Sequence, residues 1–351
     1  MTEITINGRA IGTGHPIYII AEMSANHGQD FDQAARIIEA AKEAGADAVK
    51  LQTYTPDTLT IDCDNEYFRI KGTIWEGRTL YDLYGEAYTP WEWQPKLKEI
   101  ADRVGITLFS TPFDATAVDF LESMEVSAHK VASFELVDHA LLERIGGTGK
   151  PVIMSTGMAT LAEIDEAVAT LRRAGAGGIA LLKCTSAYPA QAADMNLRTI
   201  PHLAEAFGVV AGLSDHTIGL VAPVAAVALG AAIIEKHITL DRTAGGPDST
   251  FSLAPKEFAA MVAAVRETEQ ALGRVCYEPS ASEEKSRAFR RSLFVVEDVR
   301  AGEVLTPEKI RSIRPGHGLA PKYLGQVLGR RACRDIPKGT PLGWEMIGGL
   351  P

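Results

Sequence analysis

Two lysines sit inside short apolar runs of this chain: Lys50 in Ala48–Gln52 and Lys130 in Ala128–Ala132. A buried ammonium needs an anionic or hydrogen-bonded partner. With the hydroxyls of Thr111 and Ser133, the two lysines could neutralise a phosphate and a carboxylate. A structural ion pair with a buried carboxylate is the plainer alternative for either lysine, and Lys130, Lys183 and Lys236 are also candidates for Schiff-base chemistry. Two imidazoles, His216 and His237, close consecutive apolar runs. With Glu22 and Asp248 expected at the same rim, they could share one divalent ion, substrate and water filling its open positions. The turn Gly245-Gly246-Pro247 would fix Asp248 over that rim, unless it is an ordinary loop ending in a helix cap. No HExxH pattern points to a protease.

The elements that must position these groups form a repeating β-then-α rhythm. Strands are predicted at Ile17–Glu22, Ala48–Gln52, Ile106–Thr111, Ala128–Ala132, Pro151–Ser155, Ile179–Cys184, Val209–Leu213 and Ala232–His237. They are short and apolar with little polar alternation, as strands covered on both faces must be. Amphipathic helical patterns lie between them, with N-caps at Asp114 and Thr160. This is the size and pattern of a (β/α)8 TIM barrel. A doubly wound open sheet is the runner-up, weakened by the lack of a glycine-rich fingerprint after the first strand. Active sites of TIM barrels lie at the C-terminal strand ends, and every proposed exit is polar: Glu22; Lys50 and Gln52; Ser110 and Thr111; Lys130, Ser133 and Glu135; Ser155 and Thr156; Lys183, Thr185 and Ser186; Ser214, Asp215 and His216; Lys236 and His237. The connection from Thr53 to about Tyr88 is long and carries Tyr67, Phe68, Trp75, Tyr81, Tyr84 and Tyr88. Its length points to function and its aromatics to a substrate wall.

The chain divides by pattern into a catalytic barrel at 1–272, a polar linker at 273–290 and a small all-β domain at 291–351, with β-like pieces at Ser292–Val296, Arg311–Arg314 and Arg331–Arg334. The formal net charge of -10 and the absence of a basic tract exclude nucleic-acid binding as the expected role. The cysteines Cys63, Cys184, Cys276 and Cys333 show no CxxC spacing and read as reduced thiols. Met1–Gly14 is polar and carries no signal-peptide pattern, so a cytoplasmic location is expected. The uncharged run Thr217–Ile234 reaches membrane-span length, but Pro223, Gly230 and the flanking charges make it a helix, a glycine turn and a strand, and no membrane association is expected.

Taken in order, the motifs Ile20-Ala21-Glu22-Met23-Ser24-Ala25-Asn26-His27, Lys50-Leu51-Gln52, Ser110-Thr111-Pro112-Phe113, Lys130-Val131-Ala132-Ser133, Ser155-Thr156-Gly157-Met158, Cys184-Thr185-Ser186-Ala187-Tyr188-Pro189, Leu213-Ser214-Asp215-His216-Thr217, Glu235-Lys236-His237, Gly246-Pro247-Asp248 and Arg314-Pro315-Gly316 resemble those of the sialic acid synthase family. That family pairs a TIM barrel with a C-terminal antifreeze-like (SAF) domain and condenses phosphoenolpyruvate with an amino-sugar aldehyde. The resemblance implies that Lys50, Thr111, Lys130, Ser133, Ser155, Ser186 and Ser214 hold phosphoenolpyruvate. It implies that His216 and His237 bind Mn²⁺, or Mg²⁺ or Co²⁺, and that Gln52, Glu135 and Tyr188 meet the sugar. Glu22, Asp248 and Glu135 are the candidate catalytic carboxylates, for the sugar or the attacking water. Arg314 would come from the SAF domain of the other subunit in a swapped homodimer. Ser24 and the aromatic stretch from Gly72 to Tyr84, continuing through Tyr88-Thr89-Pro90-Trp91-Glu92-Trp93, resemble the pseudaminate branch, whose aldose is 2,4-diacetamido-2,4,6-trideoxy-L-altrose. The neuraminate and legionaminate branches, which use N-acetylmannosamine or a related aldose, are the alternative. Phe134 stands where the neuraminate branch has glycine, and Ser186 where some members have asparagine. Outside this family, a Schiff-base aldolase and a non-catalytic sugar-binding module remain the competing readings.

Overall fold

A computed structural model describes residues 3–349, and it divides them into two compact units, one ending at Gly273 and one beginning at Arg274. The first unit opens with an antiparallel hairpin of β1 (Glu3–Ile6) and β2 (Arg9–Gly12). Asn7 and Gly8 turn it with φ of 48° and 76°, the left-handed pair that a two-residue hairpin of this hand requires. Then come β3 (Tyr18–Glu22), β4 (Ala48–Thr53), β5 (Thr107–Pro112), β6 (His129–Val131), β7 (Pro151–Ser155), β8 (Gly178–Cys184), β9 (Val210–Asp215) and β10 (Ile233–His237). These eight are parallel neighbours in a closed barrel, β10 pairing back onto β3. Closure removes the open-sheet alternative.

Alternation along the strands builds the site. Residues pointing outward, such as Ile19, Val49, Leu51, Leu108, Val152, Leu181, Leu213 and Ile234, pack against the surrounding helices in one large buried cluster. Residues pointing inward change character along each strand. At the N-terminal end they are Tyr18, Ile20, Ala48, Phe109, Ile153, Leu182, Val210 and Ile233, which form a second cluster with Ile4, Ile6 and Ile11 of the hairpin. The hairpin is thus an apolar plug under the barrel. Gly178 admits it closely, since a Cβ there would lie 2.8 Å from Ile4. One or two steps further along, the inward position is polar on seven of the eight strands (Glu22, Lys50, Thr111, Lys130, Ser155, Ser214, Glu235) and is Cys184 on β8.

The expected caps are present: Asp114 accepts from Ala117 N–H, and Thr160 forms a capping box with Glu163. The run Thr217–Ile234 resolves into a helix at Val221–Ala228, a turn at Gly230 and strand β10, and no helix among the described residues is long and apolar enough to cross a membrane.

In the second unit, β11 (Ser292–Val295) and β12 (Ile310–Ile313) pair antiparallel over a core that includes Leu293, Val295, Leu305, Ile310, Ile336 and Leu342. Arg331–Arg334 does not form the strand expected of it. It contributes only the single bridges Val304 to Arg331 and Ala332 to Ile347. The segment read as a linker contains a helix, Ala281–Arg287, with a Ser280–Glu283 capping box and no buried residue. Its charged composition hides the cap, and the cap is what starts the helix.

Candidate active site

The inward polar ends of the strands converge on a cavity of about 520 Å³ at the C-terminal face of the barrel, within the range of small-molecule sites. Lys50 and Lys130, only 4% and 1% exposed, form its floor. Lys50 lies 2.8 Å from Glu22 and 3.4 Å from Glu235, and donates to Thr111 at 3.4 Å. Lys130 lies 3.6 Å from Glu235 and donates to the Ser155 hydroxyl at 2.7 Å. Each lysine therefore has the carboxylate partner that burial demands, and each also has a hydroxyl beside it. Burial pushes the Glu235 carboxyl up, but Lys130, Lys50 and the Ser214 hydroxyl at 2.9 Å outweigh it and hold Glu235 ionised. At Glu22 burial wins over Lys50, and its carboxyl is held well above the usual carboxylate range. Two neighbouring carboxyls pushed in opposite directions are the arrangement from which acid and base roles arise.

The other expected residues are placed as follows. Gln52 lines the cavity and donates to Glu22 at 3.1 Å. Ser133, Ser155 and Ser214 line it. Thr111, buried behind Lys50, and Ser186, its hydroxyl 4.0 Å from the Cys184 sulfur, do not line it. Glu135, on the turn after β6, has an unpartnered Oε2, and burial raises its carboxyl to about 7. Asp248 takes the Ala25 N–H at 3.3 Å; burial raises its carboxyl, opposed by Ser24 and Ala25. The Tyr188 ring packs at a tilt against those of His216, Phe251 and Trp75, with centroids 4.5, 5.2 and 5.6 Å away. Arg314 belongs to the second unit, where it is exposed directly after β12.

The ring centroids of His216 and His237 are 5.3 Å apart. His216 donates Nδ1–H to the Thr185 carbonyl at 3.0 Å, which leaves Nε2 free. His237 Nδ1 is buried without a hydrogen-bond partner, and burial, with His216 next, holds its pKa well below the usual value, so the ring is neutral. A neutral, unpartnered imidazole beside a second one suits a divalent ion whose remaining positions are filled by substrate and water. Glu22 and Asp248 do not complete the set. Among the described residues no group of three or more His, Cys, Asp or Glu is placed to hold an ion, because Glu22 is drawn to Lys50 and Asp248 to the Ala25 amide.

Of the long β4-to-Tyr88 connection, Tyr54, Trp75 and Tyr84 line the cavity, whereas Tyr67, Phe68, Tyr81 and Tyr88 do not; Tyr67 is 82% exposed. Trp75 donates its indole N–H to the Pro247 carbonyl at 3.0 Å, joining the two loops above the cavity. Phe134 lines the mouth but is 58% exposed, a rim residue and not a wall.

Two participants escape sequence reading. Glu235 lies between both lysines, and only the inward alternation Ile233, Glu235, His237 would have revealed it. Gly157 lets two hydroxyls approach the backbone: its N–H donates to Ser133 Oγ at 3.0 Å, and a Cβ there would fall 2.2 Å from Ser186 Oγ and 2.7 Å from Ser133 Oγ.

Comparison with known proteins gives a consistent picture. Residues 37–277 match the model of the NeuB family, and residues 290–348 that of the SAF domain. A pseudaminic acid synthase of Helicobacter pylori is 45% identical over 95% of this chain and 98% of its own length. An N,N'-diacetyllegionaminic acid synthase of Legionella pneumophila is 36% identical over 97% of this chain and 98% of its own. The crystal structure of an N-acetylneuraminic acid synthetase from Leptospira borgpetersenii, in complex with citrate, superposes with a TM-score of 0.73 at 35% identity, covering 81% of this chain and 95% of that one.

Proposed function

The chain belongs to the NeuB family and carries a SAF domain, and from that premise we propose that it condenses phosphoenolpyruvate with 2,4-diacetamido-2,4,6-trideoxy-L-altrose and water to give pseudaminic acid and phosphate. The observation that carries the reading is the pair of buried lysines with adjacent hydroxyls opening into the same cavity as the two imidazoles. Such a floor suits a ligand bearing both a phosphate and a carboxylate.

In this reading Lys50, Lys130 and the hydroxyls of Thr111, Ser133, Ser155, Ser186 and Ser214 fix phosphoenolpyruvate, so that its alkene carbon faces the sugar aldehyde. Fixed proximity supplies much of the rate. His216 and His237 would hold a divalent ion, Mn²⁺ by preference, which when bound supplies Lewis acidity toward the aldehyde. The new bond joins the alkene carbon to the aldehyde carbon. Water then adds to the oxygen-bearing carbon, and phosphate leaves with cleavage of the carbon–oxygen bond. Glu22, Glu135 and Asp248 have carboxyls raised by burial, which suits a group that takes and returns a proton near neutral pH. Gln52 and Tyr188 orient the sugar, and Trp75 encloses it. Arg314 acts in trans from the SAF domain of a swapped homodimer: its planar donors suit an acetamido or carbonyl oxygen. The enzyme works in the cytoplasm.

The test is phosphate release and product analysis with phosphoenolpyruvate, Mn²⁺ and two aldoses. A 6-methyl group buried against Trp75 and Tyr84 is worth about 0.8 kcal/mol, and a 6-hydroxyl buried without a partner costs about 1–3 kcal/mol. The deoxy sugar should therefore be favoured by on the order of 10²-fold in kcat/KM. Equal or better use of N-acetylmannosamine moves the chain to a sister branch. Mixing Arg314→Ala with His237→Gln subunits should restore one complete site per heterodimer; no recovery counts against the trans arrangement. Of the Schiff-base candidates only Lys130 lines the cavity, since Lys236 is tied to Asp215 and Lys183 donates to the Cys184 carbonyl. Borohydride trapping of a covalent adduct at Lys130 would replace the condensation above with an aldolase mechanism.

A further inference from the structure

Outward positions of β9 and β10 should be aliphatic, yet at their C-terminal ends they carry Asp215 and Lys236, register neighbours in the barrel. Both side chains are fully buried, and Lys236 Nζ lies 2.5 Å from Asp215 Oδ2. Neither residue lines the cavity, and the polar atoms of both are engaged with each other and with Thr217. What they touch is the chain around the imidazoles. Asp215 accepts from the Thr217 N–H at 2.9 Å and from the Thr217 hydroxyl at 3.1 Å, and Lys236 also donates to the Thr217 carbonyl. His216 is thus bracketed, because the residues before and after it both bond to Lys236. The next residue after Lys236 is His237.

We propose that the Asp215–Lys236 pair is a positioning device that sets the separation of His216 and His237 and so tunes their joint affinity for a divalent ion. The inference rests on the metal reading above. Its physical basis is leverage. The two imidazoles leave the barrel on adjacent strand ends, and the β9 end continues into the loop that leads to the helix at Val221–Ala228. A ladder bond alone leaves that loop free to pivot after Asp215. One ammonium bonded to both flanks of His216 removes the pivot, and its own backbone carries the second imidazole. A buried pair is also poorly suited to stability for its own sake, since an apolar pair of equal volume does as well. Outer partners that orient ligands typically govern affinity by 10–100-fold.

The experiment uses the full chain and Mn²⁺ alone, with free ion counted by electron paramagnetic resonance. The paired variant Asp215→Asn/Lys236→Met keeps an acceptor for the Thr217 amide and leaves no unpaired buried charge, so it should fold. A core variant, Leu142→Ala, is the control for general loosening. The expected result is wild-type binding, a paired variant whose Kd for Mn²⁺ is raised at least ~10-fold, unchanged binding of phosphoenolpyruvate, and a core variant that binds Mn²⁺ as the wild type does. Unchanged Mn²⁺ affinity in the paired variant overturns the proposal, as does an equal loss in the core variant. Wild-type protein that binds no Mn²⁺, with or without phosphoenolpyruvate, removes the metal reading itself and the proposal with it.

Discussion

Glu235→Gln removes one negative charge from between two buried ammoniums. The carboxylate lies 3.4 Å from Lys50 and 3.6 Å from Lys130, and Glu235 is 4% exposed. At an effective dielectric near 20, each contact is worth about 4–5 kcal/mol of Coulomb attraction, largely offset by the desolvation of all three groups. Removing one partner from a buried pair costs about 3–5 kcal/mol; here Lys130 is the ammonium left without a carboxylate, since Lys50 keeps Glu22 at 2.8 Å. For a unit of this size each kcal/mol moves Tm by about 2–4 °C, so a drop of roughly 6–20 °C is expected. Phosphoenolpyruvate should reverse much of it. At a hundred times Kd a ligand stabilises any protein by about 2.7 kcal/mol. In the variant the bound anion also replaces the missing charge, so the ligand-induced rise in Tm should exceed that of the wild type. Differential scanning calorimetry with and without phosphoenolpyruvate reads both effects. A variant within about 2 °C of wild type would show that the lysines do not depend on Glu235. A ligand shift no larger than the wild type's would show that the anion does not bind over them.

Gly157→Ala should raise KM for phosphoenolpyruvate by about tenfold, roughly the loss of one good hydrogen bond, because the new Cβ displaces the Ser186 and Ser133 hydroxyls; Tm should change little, since hydroxyls can rotate away. Glu135 has its carboxyl raised to about 7 by burial, so its contribution to stability is full below its unfolded value near 4.5 and is lost as pH rises through about 7. Glu135→Gln should therefore flatten the fall in Tm between pH 5 and 8 while lowering turnover, and an unchanged Tm profile would exclude Glu135 as the raised group. Trp75→Phe keeps a ring against Tyr188 but loses the donor to the Pro247 carbonyl. It should raise KM for the aldose by roughly fivefold, about 1 kcal/mol, with KM for phosphoenolpyruvate unchanged, which steady-state kinetics with each substrate varied would read.

The barrel was legible in the sequence because its strands are covered on both faces and therefore read as apolar runs between amphipathic helices. The strand exits were legible for the same reason, since a lysine such as Lys130 stands out against Ala128 and Val131. Charge partners were not. Glu235 sits one residue from Lys236 in sequence, yet one points inward to the cavity floor and the other outward to Asp215, and only the closed sheet fixes which. The N-terminal hairpin was masked by the polar average of its first fourteen residues, although Asn7-Gly8 between Ile4, Ile6 and Ile11 is a turn signal with a mechanism. The small domain was read too regularly: Arg331–Arg334 has β-like residues, but single bridges replace a ladder where the chain bends around a core this small.

Closure of the barrel by β10 against β3 sets Tyr18 beside Ile233, and this has a consequence for how the chain is made. At about 5–20 residues per second, β3 leaves the ribosome roughly 10–40 s before its second neighbour exists. Through that interval Tyr18–Glu22, buried to the last residue in the finished protein, has an unpaired edge open to other chains. The hairpin beneath it forms within microseconds but packs against β7, β8 and β9, so it too must wait for distant sequence. Nascent chains stalled anywhere before His237 therefore carry both an open edge and an undocked apolar plug, and solubility during synthesis depends on what shields those two surfaces.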